Sequence, residues 1–167
     1  LQEAALNTCS QCGKDHADDL GELAFRRPDA LFELSPEERE HNVKQSNDWC
    51  VIAGERFFLR ALLPLSVVEL NDSYCIGIWV ELQPSAFERV CELWRDERQA
   101  AEPPFTVRLA NSIPTLPQTL GLEGLLQLSG PTSRPSVTLS TSSHPLAVEQ
   151  AKGISLHRAH EYSVVFA

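Results

Sequence analysis

Residues 49–65 read WCVIAGERFFLRALLPL. Two runs of apolar, β-branched and aromatic residues flank Ala53-Gly54-Glu55, which is the pattern of two strands joined by a tight hairpin turn. YCIGIWVELQ, residues 74–83, repeats the same chemistry, so a third strand is expected to pair with the hairpin. Working outward, FTVRL (105–109), GLLQLSG (124–130) and SVTLST (136–141) read as further short strands, the last two separated by the turn-prone GPTSRP. No internal repeat is evident.

Helices sit around these runs. In SPEEREHNVK, Ser35 is placed to cap, Pro36 occupies the first helical position, and Glu37 and Glu38 fall where the helix dipole favours anions. PSAFERVCELWRDE (84–97) sets Phe87, Val90, Cys91 and Trp94 at helical spacing with charges on the other face, and Ser85 or Gln83 is placed to cap it. HPLAVEQAKGISLHRAHEYSVV (144–165) reads as one or two helices interrupted at Gly153. The stretch 18–34 reads as loop and short irregular pieces, and the proline-rich 110–122 as a long, ordered loop. Strand runs with helices between and after them, without regular βα alternation, predict an α+β single domain with a mostly antiparallel sheet and flanking helices. An N-terminal zinc-knuckle-like segment, 1–22, is expected to pack on the 23–167 body.

Composition narrows the classes. At 167 residues, with 43% hydrophobic and 22% charged residues, the chain is long enough to bury a core without disulfides and is not disordered throughout. A net charge of −9 repels phosphate backbones, so sequence-independent nucleic-acid binding is not expected; the basic groups at Arg26-Arg27 and Arg56 to Arg60 are too small to outweigh that field. No apolar run is long enough for a membrane span, the best candidate around ALLPLSVVEL being broken by Pro64 and Glu69. LQEAALNT has neither a basic leader nor a long apolar stretch and does not read as a secretory signal. Five cysteines, with Cys50, Cys75 and Cys91 in apolar surroundings, point to a reducing, cytoplasmic compartment rather than a disulfide framework.

The segment CSQCGKDH (9–16) carries the most specific chemistry. A Cys-x-x-Cys followed by Gly is what a zinc knuckle needs, since Cys9 and Cys12 converge on one tetrahedral ion while Gly13 turns the chain away. Such a pair supplies two ligands and a closed site wants four. His16 is the nearest third, and the rest must come from Cys50, His144, or the pair His157 and His160; His160 is the ligand expected with Cys9, Cys12 and His16. Two other readings of the same pair stay open. One is thiol redox chemistry, although the polar KDHADDL supplies no apolar helix behind the first thiol. The other is a pair of reduced thiols without a ligand. A nucleophile pair of Cys50 and His160 can be written down, but a thiol in an apolar strand is inert.

Several blocks occur together in one order: CSQCGKDH, FRRPDALFELSPEER, NDWCVIAGERFFLRALLPL, GIWVEL followed by SAFERVCELW, EPPFTVRLANSIPTLPQTLGL and HPLAVEQAKGISLHRAHE. Over Cys9 to Glu161 the chain resembles a bacterial family, the domain of unknown function 2199. The resemblance implies a small cytoplasmic bacterial protein and carries no catalytic assignment. Within these blocks Arg108 and Asn111 stand beside a proline-stiffened loop, where fixed donors can face an anionic or carbonyl-bearing partner. Alternatively, the same two groups tie the loop to the sheet. His144 is a third partner-binding candidate, or opens the helix that follows it. Gln150, Arg158, His160 and Glu161 line either a cleft or a surface. The expected function is a binding or interaction module with a structural zinc; the alternatives are a hydrolase-like metal enzyme at the same site or a thiol redox protein.

Overall fold

Ala53 and Gly54 both take positive φ, 54° and 64°, and the Glu55 amide donates to the Ile52 carbonyl at 3.0 Å. Positive φ at both central residues is what a type I′ turn requires and what matches the twist of paired strands. The computed structural model describes residues 11–12, 20–140 and 143–166. Its strands are β1 (Val43–Gln45), β2 (Trp49–Ile52), β3 (Arg56–Val67), β4 (Asp72–Leu82), β5 (Phe105–Leu109), β6 (Glu123–Gln127) and β7 (Ser136–Leu139). Its helices are α1 (Asp29–Phe32), α2 (Pro36–Asn42), α3 (Pro84–Leu93), α4 (Pro145–Lys152) and α5 (Leu156–Ser163).

Each strand pairs with the next, antiparallel, in the order β1 to β7, and β3 pairs in addition with β7. The sheet from β3 to β7 therefore closes into a five-stranded barrel, with β1 and β2 as an extension. This overturns the expected α+β arrangement of a mostly antiparallel sheet with flanking helices. In a meander, successive strands alternate in direction, so the first and the fifth run the same way and the closing pair must be parallel; β3 and β7 are parallel, with Leu62 opposite Ser136. Closure left no local trace in the sequence because it rests on one short contact between segments far apart along the chain. The zinc-knuckle segment expected as part of that fold is not shown: Cys9, Gly13 and His16 lie outside the described residues.

Register assigns the two faces. Leu59, Ala61, Leu63 and Leu65 of β3 stand opposite Val80, Ile78, Ile76 and Tyr74 of β4, and the same phase continues through Leu109, Leu126 and Val137. All of these are buried and fill the barrel. The opposite phase of β3 and β4 carries Phe58, Arg60, Gly77 and Trp79 on the outside. There Phe58 and Trp79 are also buried, because residues 20–34 form a strap that pairs with the free edge of β4 at Ala24 and Gly77 and then passes over this face, with Arg27 over Trp79 and Ala30 beside Phe58. The strap is tied down by Phe25 N to Gly77 O at 2.9 Å and Gly77 N to Leu23 O at 2.8 Å. Trp79 Nε1 donates to Phe25 O at 3.1 Å, and Tyr74 Oη both accepts from Leu23 N and donates to Gly21 O.

The outer edge of β3 is shared by four partners. Arg60 N donates to Asp48 O just before β2, and Leu62 N to Pro135 O just before β7, each at 2.9 Å; Ser66 O accepts from Ile154 N at 2.8 Å. Pro64 lies in the same phase and has no N–H to give. There the strands part, and the Gln150 side chain of α4 enters: Nε2 donates to Pro64 O and Val137 O, and Oε1 accepts from Leu139 N at 2.7 Å. One amide side chain thus completes the ladder where a proline interrupts it.

The helices follow their local signals except at α3, where Gln83 stands at the N-cap but makes no side-chain cap bond. Ser35 and Glu38 form a reciprocal capping box on α2, and His144 and Ser155 cap α4 and α5, which Gly153 separates. The helix expected over 84–97 stops at Leu93, where the buried Gln99 donates to the Leu93 and Trp94 carbonyls, meeting the unpaired acceptors of the helix end. On α3 the buried residues are Val90 and Leu93, and Cys91, expected in the apolar stripe, is exposed. Among the described residues no helix is long and apolar enough to cross a membrane.

Candidate functional site

Glu81 on β4, Arg108 on β5 and Glu123 on β6 are direct cross-strand neighbours. They occupy the phase opposite Val80, Val107 and Leu109, which face the core, so all three point outward from the barrel. Arg56, at the start of β3, grips Glu81 with both arms of its fork: Nε to Oε2 at 2.8 Å and Nη2 to Oε1 at 2.9 Å. The same guanidinium lies 5.2 Å from the centre of the Phe58 ring. Glu81 raises the Arg56 pKa through this hydrogen bond, so the guanidinium stays charged at any ordinary pH.

With Glu81 committed to Arg56, Arg108 is left over. It is exposed and forms no ion pair with a carboxylate of the described residues. Two clefts meet at it. One, of about 410 Å³, is walled by Glu55, Gln83, Thr106 and Glu123. The other, of about 190 Å³, runs past Glu33, Arg56 and Phe58 toward Leu120. Glu81 and Arg108 line both. Glu55 and Glu123 likewise form no ion pair among the described residues. A planar guanidinium takes a carboxylate or phosphate through two parallel hydrogen bonds, and the flanking carboxylates attract a cationic group.

The other residues singled out in the sequence fall elsewhere. Asn111 is fully buried. Its Oδ1 accepts from Trp79 N at 2.8 Å, and its Nδ2 donates to Arg27 O and to Asp29 Oδ1. It thereby joins the strap to β4 beyond the end of β5. His144 Nδ1 accepts from Leu146 N at 3.1 Å, leaving Nε2 to donate to Pro117 O at 3.1 Å, which ties α4 to the proline-rich loop. Thr119 Oγ1 donates to Asn111 O and accepts from Ile113 N, so that loop is held from within.

His157 and His160 both stand on α5, where His157 Nε2 is 3.7 Å from Glu161 Oε1. Arg158 pairs with Glu149 at 2.9 Å and lies over the Tyr162 ring. Cys12 is exposed and Cys50 buried; burial pushes the Cys50 thiol above its ordinary range. Among the described residues no group of three or more His, Cys, Asp or Glu side chains could hold a metal ion. Cys9 and His16 lie outside them.

The sequence singles out Arg108 beside its loop but does not show its surroundings. Strand alternation over 56–60 already places Arg56, Phe58 and Arg60 on one face. That Glu81 is the partner of Arg56 required the β3–β4 register.

The family model described as an uncharacterised protein conserved in bacteria, domain of unknown function 2199, matches residues 8–154. The chain belongs to that family. No curated protein and no solved structure matches it. The match spans every strand and α4, and it ends ahead of α5. Arg56, Glu81, Arg108 and Glu123, which make up the double cleft, all fall inside it.

Proposed function

We propose that this member of the family is a binding protein whose ligand lies across Arg108. The observation that carries the reading is that Glu81, Arg108's neighbour in the sheet, is already neutralised by Arg56. A guanidinium at the junction of two clefts is therefore left to an outside acceptor. Glu55 and Glu123 flank it, so the complementary ligand carries an acidic group for Arg108 and a cationic group nearby. Free amino acids and short peptides have that chemistry. The test is calorimetric titration of a panel of amino acids and dipeptides into the protein and its Arg108→Gln and Glu123→Gln variants. The expected result is binding that Arg108→Gln weakens roughly a hundredfold, the scale of a bidentate charged pair. Equal affinity in all three proteins overturns the reading.

Zinc at Cys9 and Cys12, with His16 and His160 completing the set, is supported by the Cys-x-x-Cys-Gly spacing and by the exposure of Cys12. Elemental analysis of protein purified without added metal tests it. About one zinc per chain, lost in Cys12→Ser, is the expected outcome, and a metal-free wild type ends it. The odd number of cysteines supports a cytoplasmic setting.

A further inference from the structure

Three arginines from distant parts of the chain meet where β2, β3 and β7 come together. Arg60 projects from the outer face of β3, opposite Trp79. On the same edge of β3, Arg60 N binds Asp48 O and Leu62 N binds Pro135 O, so the turn that carries Arg134 arrives beside Arg60. Arg27 comes from the strap. Its guanidinium lies 5.6 Å from the centre of the Trp79 ring, and Nη1 donates to Ser46 O at 2.6 Å. None of the three forms an ion pair with a carboxylate of the described residues.

Like charges gathered without counter-ions are costly. In a chain of net charge −9, carboxylates to disperse them are plentiful. Burial and then Arg134 and Arg27 pull the Arg60 pKa below the ordinary arginine range, while Asp48 and Glu22 act in the opposite direction without closing a pair. Most telling is Arg60 Nε, which is buried and has no hydrogen-bond partner. A buried donor left unmet is costly, and such a group calls for an ion or a ligand atom to meet it.

We propose that this cluster is a binding site for a phosphate group, held by Arg27, Arg60 and Arg134. Three guanidinium groups approaching from three segments need more acceptor atoms than the two oxygens of a carboxylate. A tetrahedral phosphate offers at least three, directed apart, and meets a fork on each side. The site is separate from the Arg108 clefts. Between them the strap covers the outer face, anchored at Arg27 O and Asp29 by Asn111.

The test is calorimetric titration and thermal unfolding in low-salt buffer with inorganic phosphate, with phosphoserine, and with sodium chloride at matched ionic strength. Arg60→Gln and Arg134→Gln serve as variants, the second being a turn residue whose loss leaves no core group unmet. Phosphate is expected to bind the wild type and raise its Tm while chloride does not, and each variant is expected to bind roughly tenfold or more weakly. Tighter binding of phosphoserine than of inorganic phosphate identifies a phosphomonoester as the natural ligand; equal binding identifies free phosphate. No heat with either phosphate, an equal response to chloride, or undiminished affinity in a folded Arg134→Gln protein overturns the assignment.

Discussion

The side-chain nitrogen of Gln150 donates to the main-chain oxygen of Pro64 at 3.3 Å, across the place where β3 and β7 no longer pair directly. The same side chain also serves Val137 O and Leu139 N. A helix therefore seals the seam of the barrel with one amide. Gln150→Leu keeps the volume and removes all three bonds. It is expected to cost about 2 kcal/mol, because a part-buried N–H and two carbonyls lose their partner. Urea unfolding measures this, and a cost under about 1 kcal/mol means that the seam closes without it.

Asn111 is expected to tolerate neither shortening nor charge. Asn111→Ala strands the Trp79 amide and frees the strap at Arg27 and Asp29, at a cost of about 2–3 kcal/mol. Asn111→Asp retains the acceptor for Trp79 N but loses the Nδ2 donor to Arg27 O and Asp29 Oδ1, and sets a buried carboxylate against that of Asp29. The aspartate variant should be the less stable of the two by chemical denaturation. If it matches or exceeds the alanine variant, the Asn111–Asp29 contact does not have the role given to it.

Gly124 faces Leu139 on β7. A Cβ built there would stand 2.8 Å from Thr138 O and 3.1 Å from a methyl of Val137. The backbone oxygen cannot move aside without shifting β7, so Gly124→Ala is expected to lower stability by about 1–3 kcal/mol. Thermal unfolding reports the loss. An unchanged Tm would show that β6 and β7 separate more easily than their register suggests.

Stability should fall in alkali. Burial raises the thiols of Cys50 and Cys75 and the phenols of Tyr162 and Tyr74 above their ordinary ranges. For such groups the unfolded chain holds fewer protons than the folded one once pH passes the unfolded pKa. Unfolding then becomes easier as pH rises, first above about 8.5 through the thiols and again above about 10 through the tyrosines. Cys50→Ala should flatten the first part of the decline in denaturant midpoint. A stability profile level from pH 8 to 11 would contradict the assignment.

Local signals carried far into the structure. The Ala53-Gly54 turn, the Ser35 cap, the break at Gly153 and the strands Phe105–Leu109, Glu123–Gln127 and Ser136–Leu139 leave short-range patterns, because they depend on φ, on caps and on alternation within a few residues. Arg108 could be singled out from the loop beside it. What made it available, Arg56 capturing Glu81 from 25 residues away in the chain, could not, because ion-pair choice depends on register. Asn111 carried the same polar promise in sequence, and the fold buried it.

The chain's own residue order determined the pieces: which stretches extend, which coil, where they turn, and that neighbouring strands run antiparallel. Only the tertiary structure decided that β3 would meet β7 and close the barrel. It also decided that Gln150 would stand in for the amide Pro64 lacks, and that Arg27, Arg60 and Arg134 would come together. The physical reason is distance along the chain. Contacts between adjacent segments leave a period that can be read, whereas a closing pair, a buried amide or a convergence of charges arises from packing and leaves no period behind.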